Sequence, residues 1–211
     1  MILIVALGQG AAPPAGADPI GPSSTYPSNL AKGSVLGRPD APVTLEVWSD
    51  FQCPFCGQFA RTYLPRLVTD FVVGGQLRIV AYDVDFVGRG DQNESVDAAV
   101  AASCAADQNR YWELHDVIFA NQNGENEGAF SRARLAQMAA KTDIDVDSWN
   151  TCQSDPGRAT TVARTTADAL AAGINSTPTL VLNGTRVAGL PRSYVDLANA
   201  IKALRPASTA P

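Results

Sequence analysis

"FQCPFCGQF", residues 51–59, decides how this chain is read. Two cysteines, Cys53 and Cys56, enclose Pro54 and Phe55. The stretch before them, "VTLEVWS" at Val43–Ser49, is β-branched and apolar, and predicts a buried strand running straight into the pair. Pro54 suits the first position of a helix, where its missing N–H is no loss. Beyond it, apolar residues recur at helical spacing at Phe59, Tyr63, Leu67 and Phe71. Pro65 predicts a kink in that helix, and Gly74-Gly75 its end. The context is therefore strand, cysteine, proline, helix.

That context places the Cys53 sulfur at a helix N-terminus. Free backbone N–H groups there, including those of Phe55 and Cys56, and the helix dipole all favour a negative charge. A stabilised thiolate is both an attacking nucleophile and a good leaving group. Cys56 lies one turn in, more shielded, and is placed to resolve a mixed disulfide. Phe55 offers the sulfur neither a positive charge nor a side-chain donor, so the expected thiolate is less stabilised than histidine at that position would make it. Zinc would need a second pair of ligands, and Cys104, Cys152 and His115 form no second C-x-x-C or C-x-x-H. A purely structural bridge is also disfavoured, because closing so short a loop removes little chain entropy. Reversible disulfide chemistry remains.

The rest of the chain sets the surroundings. It has 211 residues, 45% hydrophobic and 18% charged, with a formal net charge of -5, which argues against a nucleic-acid partner. Four cysteines fit two disulfides and an oxidising compartment. The apolar run Ile2–Leu7 is too short to span a bilayer and lacks a basic leader. It reads either as a chance apolar start or as the stub of a removed signal or anchor. Residues 8–31 are rich in Pro, Gly, Ala and Ser without periodicity, a linker composition.

"QLRIVAYDV" predicts a second strand. From about Ser95 to Gly173 helical signals dominate. Ser95–Gln108 is Ala-rich, Asn109–Ala120 is amphipathic, and Ser131 is a cap with Phe130 and Leu135 as its staple. A short helix carries Trp149 and Cys152, and Asp155-Pro156 opens a longer one closed at Gly173. "TLVLNGTRVAG" predicts a hairpin turning at Asn183-Gly184, and a final helix runs from about Ser193 to Leu204. His115, on a stripe with Tyr111 and Ile118, and Trp48 read as packed core residues. The N-x-S/T triplets at Asn93, Asn175 and Asn183 read as chance matches. Thr177-Pro178 precedes a strand, and X-Pro is the usual place for a cis peptide bond.

These residues resemble a family. "SDFQCPFC", the Thr-Pro before a strand, the helical block, "KGSVLGRPDAPVTLEVWSDFQCPFC", "YWELHDVIFANQ" and "GINSTPTLVLNG" together look like DsbA-type thiol:disulfide oxidoreductases of the thioredoxin superfamily. The resemblance runs from about Gly33 to Leu204. It implies an α/β, thioredoxin-like fold with an inserted all-helical domain. Residues 33–90 and 174–205 would form the thioredoxin-like domain. Residues 91–173 would be the insertion, its last helix bridging back. Residues 1–32 would be a flexible linker with an anchor remnant, and 206–211 a flexible tail.

By the same resemblance Cys53 is the exposed nucleophile, Cys56 its resolving partner and Pro178 a cis-proline packed against the disulfide. Thr177 would lend its backbone to an extended substrate. Cys104 and Cys152, each a buried apolar cysteine when read alone, would then form a disulfide bridging two helices, with a structural or an electron-shuttle role. Relatives often carry a buried acid six positions before the first cysteine; here that position is Val47, and strand alternation turns the neighbouring Glu46 to the opposite face. The implied activity is introduction of disulfides into reduced, unfolded secreted proteins outside the cytoplasm. The partner would be a quinone-linked membrane reoxidase of the DsbB or vitamin K epoxide reductase type. The chain would act as a monomer, anchored at its N-terminus or free, with no metal or organic cofactor beyond the redox-active disulfide. Two other readings stand beside it: a reductase or isomerase of the same fold, and a chaperone or binding module with structural disulfides only.

Overall fold

The structure, a computed structural model, describes residues 18–23, 26–90, 93–188 and 193–204. The apolar run Ile2–Leu7 and the tail 206–211 lie outside them. Its sheet is built from β1 (Ala31–Lys32), β2 (Val35–Leu36), β3 (Val43–Ser49), β4 (Leu77–Asp83), β5 (Thr179–Leu182) and β6 (Thr185–Arg186). Their spatial order is β1-β2-β4-β3-β5-β6. In β3 the residues Val43, Leu45, Val47 and Ser49 are buried and alternate with half-buried ones, as a strand at the centre of a sheet requires. β4 runs parallel to β3 and β5 antiparallel. Asn183 and Gly184, both at positive φ, turn β5 into β6. The β1–β2 ribbon was not expected from sequence. Strands of two residues are too short to carry a periodic signal.

The helices are α1 (Pro54–Thr62), α2 (Leu64–Leu67), α3 (Glu94–Ala106), α4 (Tyr111–Ala120), α5 (Arg132–Ala139), α6 (Val146–Gln153), α7 (Pro156–Ala171) and α8 (Tyr194–Ala203). The expected kink lies at Tyr63, between α1 and α2, with Pro65 in the first turn of α2, and a π-helical turn over Val68–Val72 follows. Between β4 and β5 all elements are helical. There Trp149 of α6 donates its indole N–H to the Ala101 carbonyl of α3, at 3.0 Å. A disulfide joins Cys104 of α3 to Cys152 of α6, 48 residues on. Closing a loop of that length is worth about 4 kcal/mol in the chain-entropy account. α7 then returns to the sheet, where Ala169 packs with Val84 and Ile174.

One expectation fails at its end. A flexible linker was expected over residues 1–32, yet its last part is docked. The Ile20 amide donates to Asn121 Oδ1 and the Asn121 side-chain amide returns the bond to the Ile20 carbonyl, both at 2.9 Å. Tyr26 is only 7% exposed; its ring lies 6.0 Å from that of Trp112 and its hydroxyl donates to buried Asp116 at 2.7 Å. One aromatic residue with a polar tip thus anchors a segment that composition alone would leave free. Tyr26→Phe is expected to lower stability by about 1–3 kcal/mol, because it withdraws a donor from a buried carboxylate. A urea midpoint unchanged by the substitution would show that this segment does not dock in solution.

Candidate active site

Cys53 is the N-cap residue of α1 and Pro54 its first helical residue. The strand delivers the cysteine and the proline starts the helix, as the local sequence requires. Cys53 and Cys56 are both thiols in the structure. Their environments differ sharply. The Cys53 thiol is lowered to about 6. The largest cause is the hydrogen bond from the Cys56 thiol; burial opposes it, and a hydrogen bond from the Thr177 side chain and the N–H groups of Cys56 and Phe55 add to the lowering. Cys56 is pushed the other way, well above an ordinary thiol, first by its own burial and then by the neighbouring Cys53 charge. One sulfur is thus held ready as a thiolate and the other as a thiol.

Thr177-Pro178 is a cis peptide. It lies over the pair: Cys53 Sγ donates to the Thr177 carbonyl at 3.3 Å. This corrects one expectation. Cys53 is not openly exposed but only 6% accessible, because the Thr177 segment covers it. The exposed residue of the motif is Phe55, at 58%, beside exposed Pro54.

Glu46 and Val47 point to opposite faces of β3. Val47 is buried, while Glu46 Oε2 accepts from the Trp48 indole at 3.3 Å. His115 packs among Phe51, Tyr111, Trp112 and Phe119, its Nδ1 3.4 Å from Asp116.

Two acids, the buried Asp50 and the half-buried Asp83, were missed by sequence reasoning. Asp50, completely buried, accepts from the amides of Gln52, Phe86 and Val87 and from the Ser95 hydroxyl. Burial pushes it upward, and those four donors oppose the shift. Asp83 ends β4 opposite Ser49 of β3. Burial pushes Asp83 up to about 7; the Asp50 charge adds to this and the Tyr111 hydroxyl, at 2.8 Å, opposes it.

Two glutamines complete the surroundings. Gln52 Nε2 donates to Ser95 Oγ at 2.9 Å and its Oε1 accepts from the Asn126 amide at 2.6 Å. Gln122 Nε2 donates to the carbonyls of Phe51 and Cys53 at 2.7 and 3.0 Å. The signals existed: Asp50 and Gln52 stand inside "SDFQCPFC", and Gln122 ends "YWELHDVIFANQ". Nothing local marks them, because each acts on residues far away in sequence.

The comparisons with known proteins agree with this geometry. The family model described as thioredoxin matches residues 29–203. The oxidised crystal structure of BdbD from Bacillus subtilis superimposes with a TM-score of 0.72 at 24% identity, covering 89% of this chain and 98% of that one. Disulfide bond formation protein D of Bacillus subtilis is 29% identical over 110 residues, 51% of this chain and 48% of that protein. An Na(+)/H(+) antiporter, NhaA 1 of Salinispora arenicola, is 32% identical over 160 residues, 76% of this chain. This chain spans less than a quarter of the antiporter's length, 23%.

Proposed function

This chain belongs to the thioredoxin family, and on that premise we propose that it is an extracytoplasmic thiol:disulfide oxidoreductase that introduces disulfides into reduced, unfolded secreted proteins. The carrying observation is the asymmetry of the pair: a Cys53 thiol lowered to about 6 beside a Cys56 thiol raised well above the ordinary range. The Cys104–Cys152 disulfide supports an oxidising compartment. Likeness to 23% of an antiporter gives no ground for transferring ion transport.

The reaction starts from the Cys53–Cys56 disulfide. A substrate thiolate attacks Cys53 Sγ, the S–S bond breaks and its electron pair leaves on Cys56, which takes up a proton. A second thiolate of the substrate then attacks its own sulfur in the mixed disulfide. Cys53 departs as a thiolate, favoured as a leaving group by its low pKa. The substrate has lost two electrons and the pair has gained them. Thr177, beside Cys53, supplies backbone for an extended substrate, and Phe55 an apolar contact. The redox-active disulfide serves in place of a metal or organic cofactor. A quinone-linked membrane reoxidase returns the pair to the disulfide, and the chain works as a monomer.

Equilibrating the full chain with glutathione buffers, and reading the alkylation state of the 53–56 peptide by mass, tests the direction. A potential between about −120 and −180 mV is expected of a disulfide donor whose Phe55 stabilises the thiolate less than histidine would, and one near about −270 mV would mean a reductant and overturn the reading.

A further inference from the structure

We propose that Gln122, seated by Arg61 and given room by Gly57, is a positioning residue that sets the stability of the Cys53 thiolate. The inference rests on the dithiol chemistry proposed above. Gln122 follows α4, 69 residues from Cys53. Its Nε2 donates to both carbonyls flanking Gln52, those of Phe51 and Cys53. Its Oε1 accepts from Arg61 Nη1 at 3.1 Å, and the same nitrogen donates to the Phe119 carbonyl at 2.6 Å. A guanidinium therefore polarises the amide, and the amide donates into the backbone of the nucleophile residue. Hydrogen bonds in such a chain strengthen one another.

The consequence follows from dipoles. A carbonyl oxygen near a thiolate raises its energy. One held on an N–H donor has part of its negative potential neutralised and its direction fixed. Cys53 is also the N-cap residue, and its carbonyl accepts from the Gly57 amide at 3.1 Å. Gln122 thus fixes the backbone from which the Phe55 and Cys56 amides are aimed at the sulfur.

Gly57 supplies an independent observation. Glycine inside a helix costs stability, and this one has no positive φ to justify it. A Cβ there would displace the amide: it would lie 2.0 Å from Gln122 Oε1 and 2.7 Å from Arg61 Nη1. The helix gives up a side chain at the one place where the amide sits.

The test compares Gln122→Met, Gln122→Glu and Gly57→Ala with the unaltered chain. The readouts are the pH midpoint of Cys53 alkylation in the reduced protein, the glutathione equilibrium of the pair and the melting temperature. Gln122→Met is expected to raise the midpoint by about 0.5–1 unit and, from a starting value of about 6, to shift the equilibrium at pH 7 about threefold to fivefold toward the oxidised protein. Gln122→Glu, which keeps the Arg61 acceptor but loses the donor, shifts both further. Gly57→Ala displaces the amide without deleting it, so it moves both in the same direction while the helix itself gains propensity. It therefore serves even where a Gln122 variant fails to fold. Midpoint and equilibrium unmoved while the melting temperature falls would mean a merely structural glutamine and overturn the inference alone. An unaltered chain with no Cys53 midpoint below the ordinary thiol range would sink both the inference and the dithiol reading.

Discussion

Cys56→Ser is expected to turn the protein from a catalyst into a trap. Cys53 remains a nucleophile at the N-terminus of α1: its thiolate attacks a disulfide in a client, the client S–S bond breaks, one client sulfur leaves as a thiolate, and no Cys56 thiol is present to attack Cys53 Sγ and release the other. Mixed disulfides with disulfide-bearing proteins should then accumulate and resolve when a reductant is added. Cys53→Ser should behave differently. It leaves a buried Cys56, whose thiol is pushed well above the ordinary range, so no mixed disulfide forms. In both variants turnover in client oxidation should fall by about a thousandfold or more, the scale on which removing a nucleophile acts in enzymes. Non-reducing gels and mass spectrometry of incubations with a disulfide-bearing client would check the trapping, and thiol loss from a reduced client the turnover. Trapping by Cys53→Ser rather than Cys56→Ser would reverse the assignment of roles. Client oxidation that survives Cys53→Ser would favour a binding module with structural disulfides.

The second large effect concerns stability and pH. Asp83 is raised from an ordinary carboxyl value of 3.8 to about 7, chiefly by burial. The native state therefore holds a proton that the unfolded chain releases near pH 4. Between about pH 4 and 7 the native state binds more protons than the unfolded one, so this group's contribution falls as pH rises. It is fully present below about pH 4 and gone above about pH 7. At about 1.4 kcal/mol per unit, the difference across the window is about 4 kcal/mol. Asp83→Asn keeps the shape, accepts from the Tyr111 hydroxyl through its carbonyl and carries no charge at any pH. It should be nearly neutral at pH 4.5 and stabilising by about 2–4 kcal/mol at pH 8. Denaturant unfolding of both proteins at pH 4.5, 6 and 8 gives the difference directly, with the other carboxylates cancelling. A difference independent of pH would mean that Asp83 does not titrate in this window.

The two predictions draw on different parts of the chain. The first uses what neighbours in sequence impose. A β-branched run makes β3, Pro54 starts α1, and a cysteine between them must become the N-cap. The hairpin at Asn183-Gly184 and the Asp155-Pro156 helix start were legible on the same grounds, since turn and cap chemistry acts over a few residues. The resemblance carried by "SDFQCPFC" and "GINSTPTLVLNG" reached further, to the thioredoxin-like fold with which the family match agrees.

The second prediction needed the folded chain. Asp50 and Asp83 look like any other acidic residues until helices and loops 28–45 positions away bury them and supply their donors. Tyr26 sits in a composition that reads as linker, and only the surface of α4 gives it a seat. Cys53 reads as exposed until the Thr177 segment, 124 residues on, is laid over it. By itself the sequence determined where the cysteine pair sits and why its first sulfur lies at a helix N-terminus, because cap, turn and strand preferences are local. The tertiary structure alone decided how covered that sulfur is, which acids lose water and which amide holds the Cys53 carbonyl. Burial and hydrogen-bond pairing are set by contacts between distant segments, and these exist only once the helices close over the sheet.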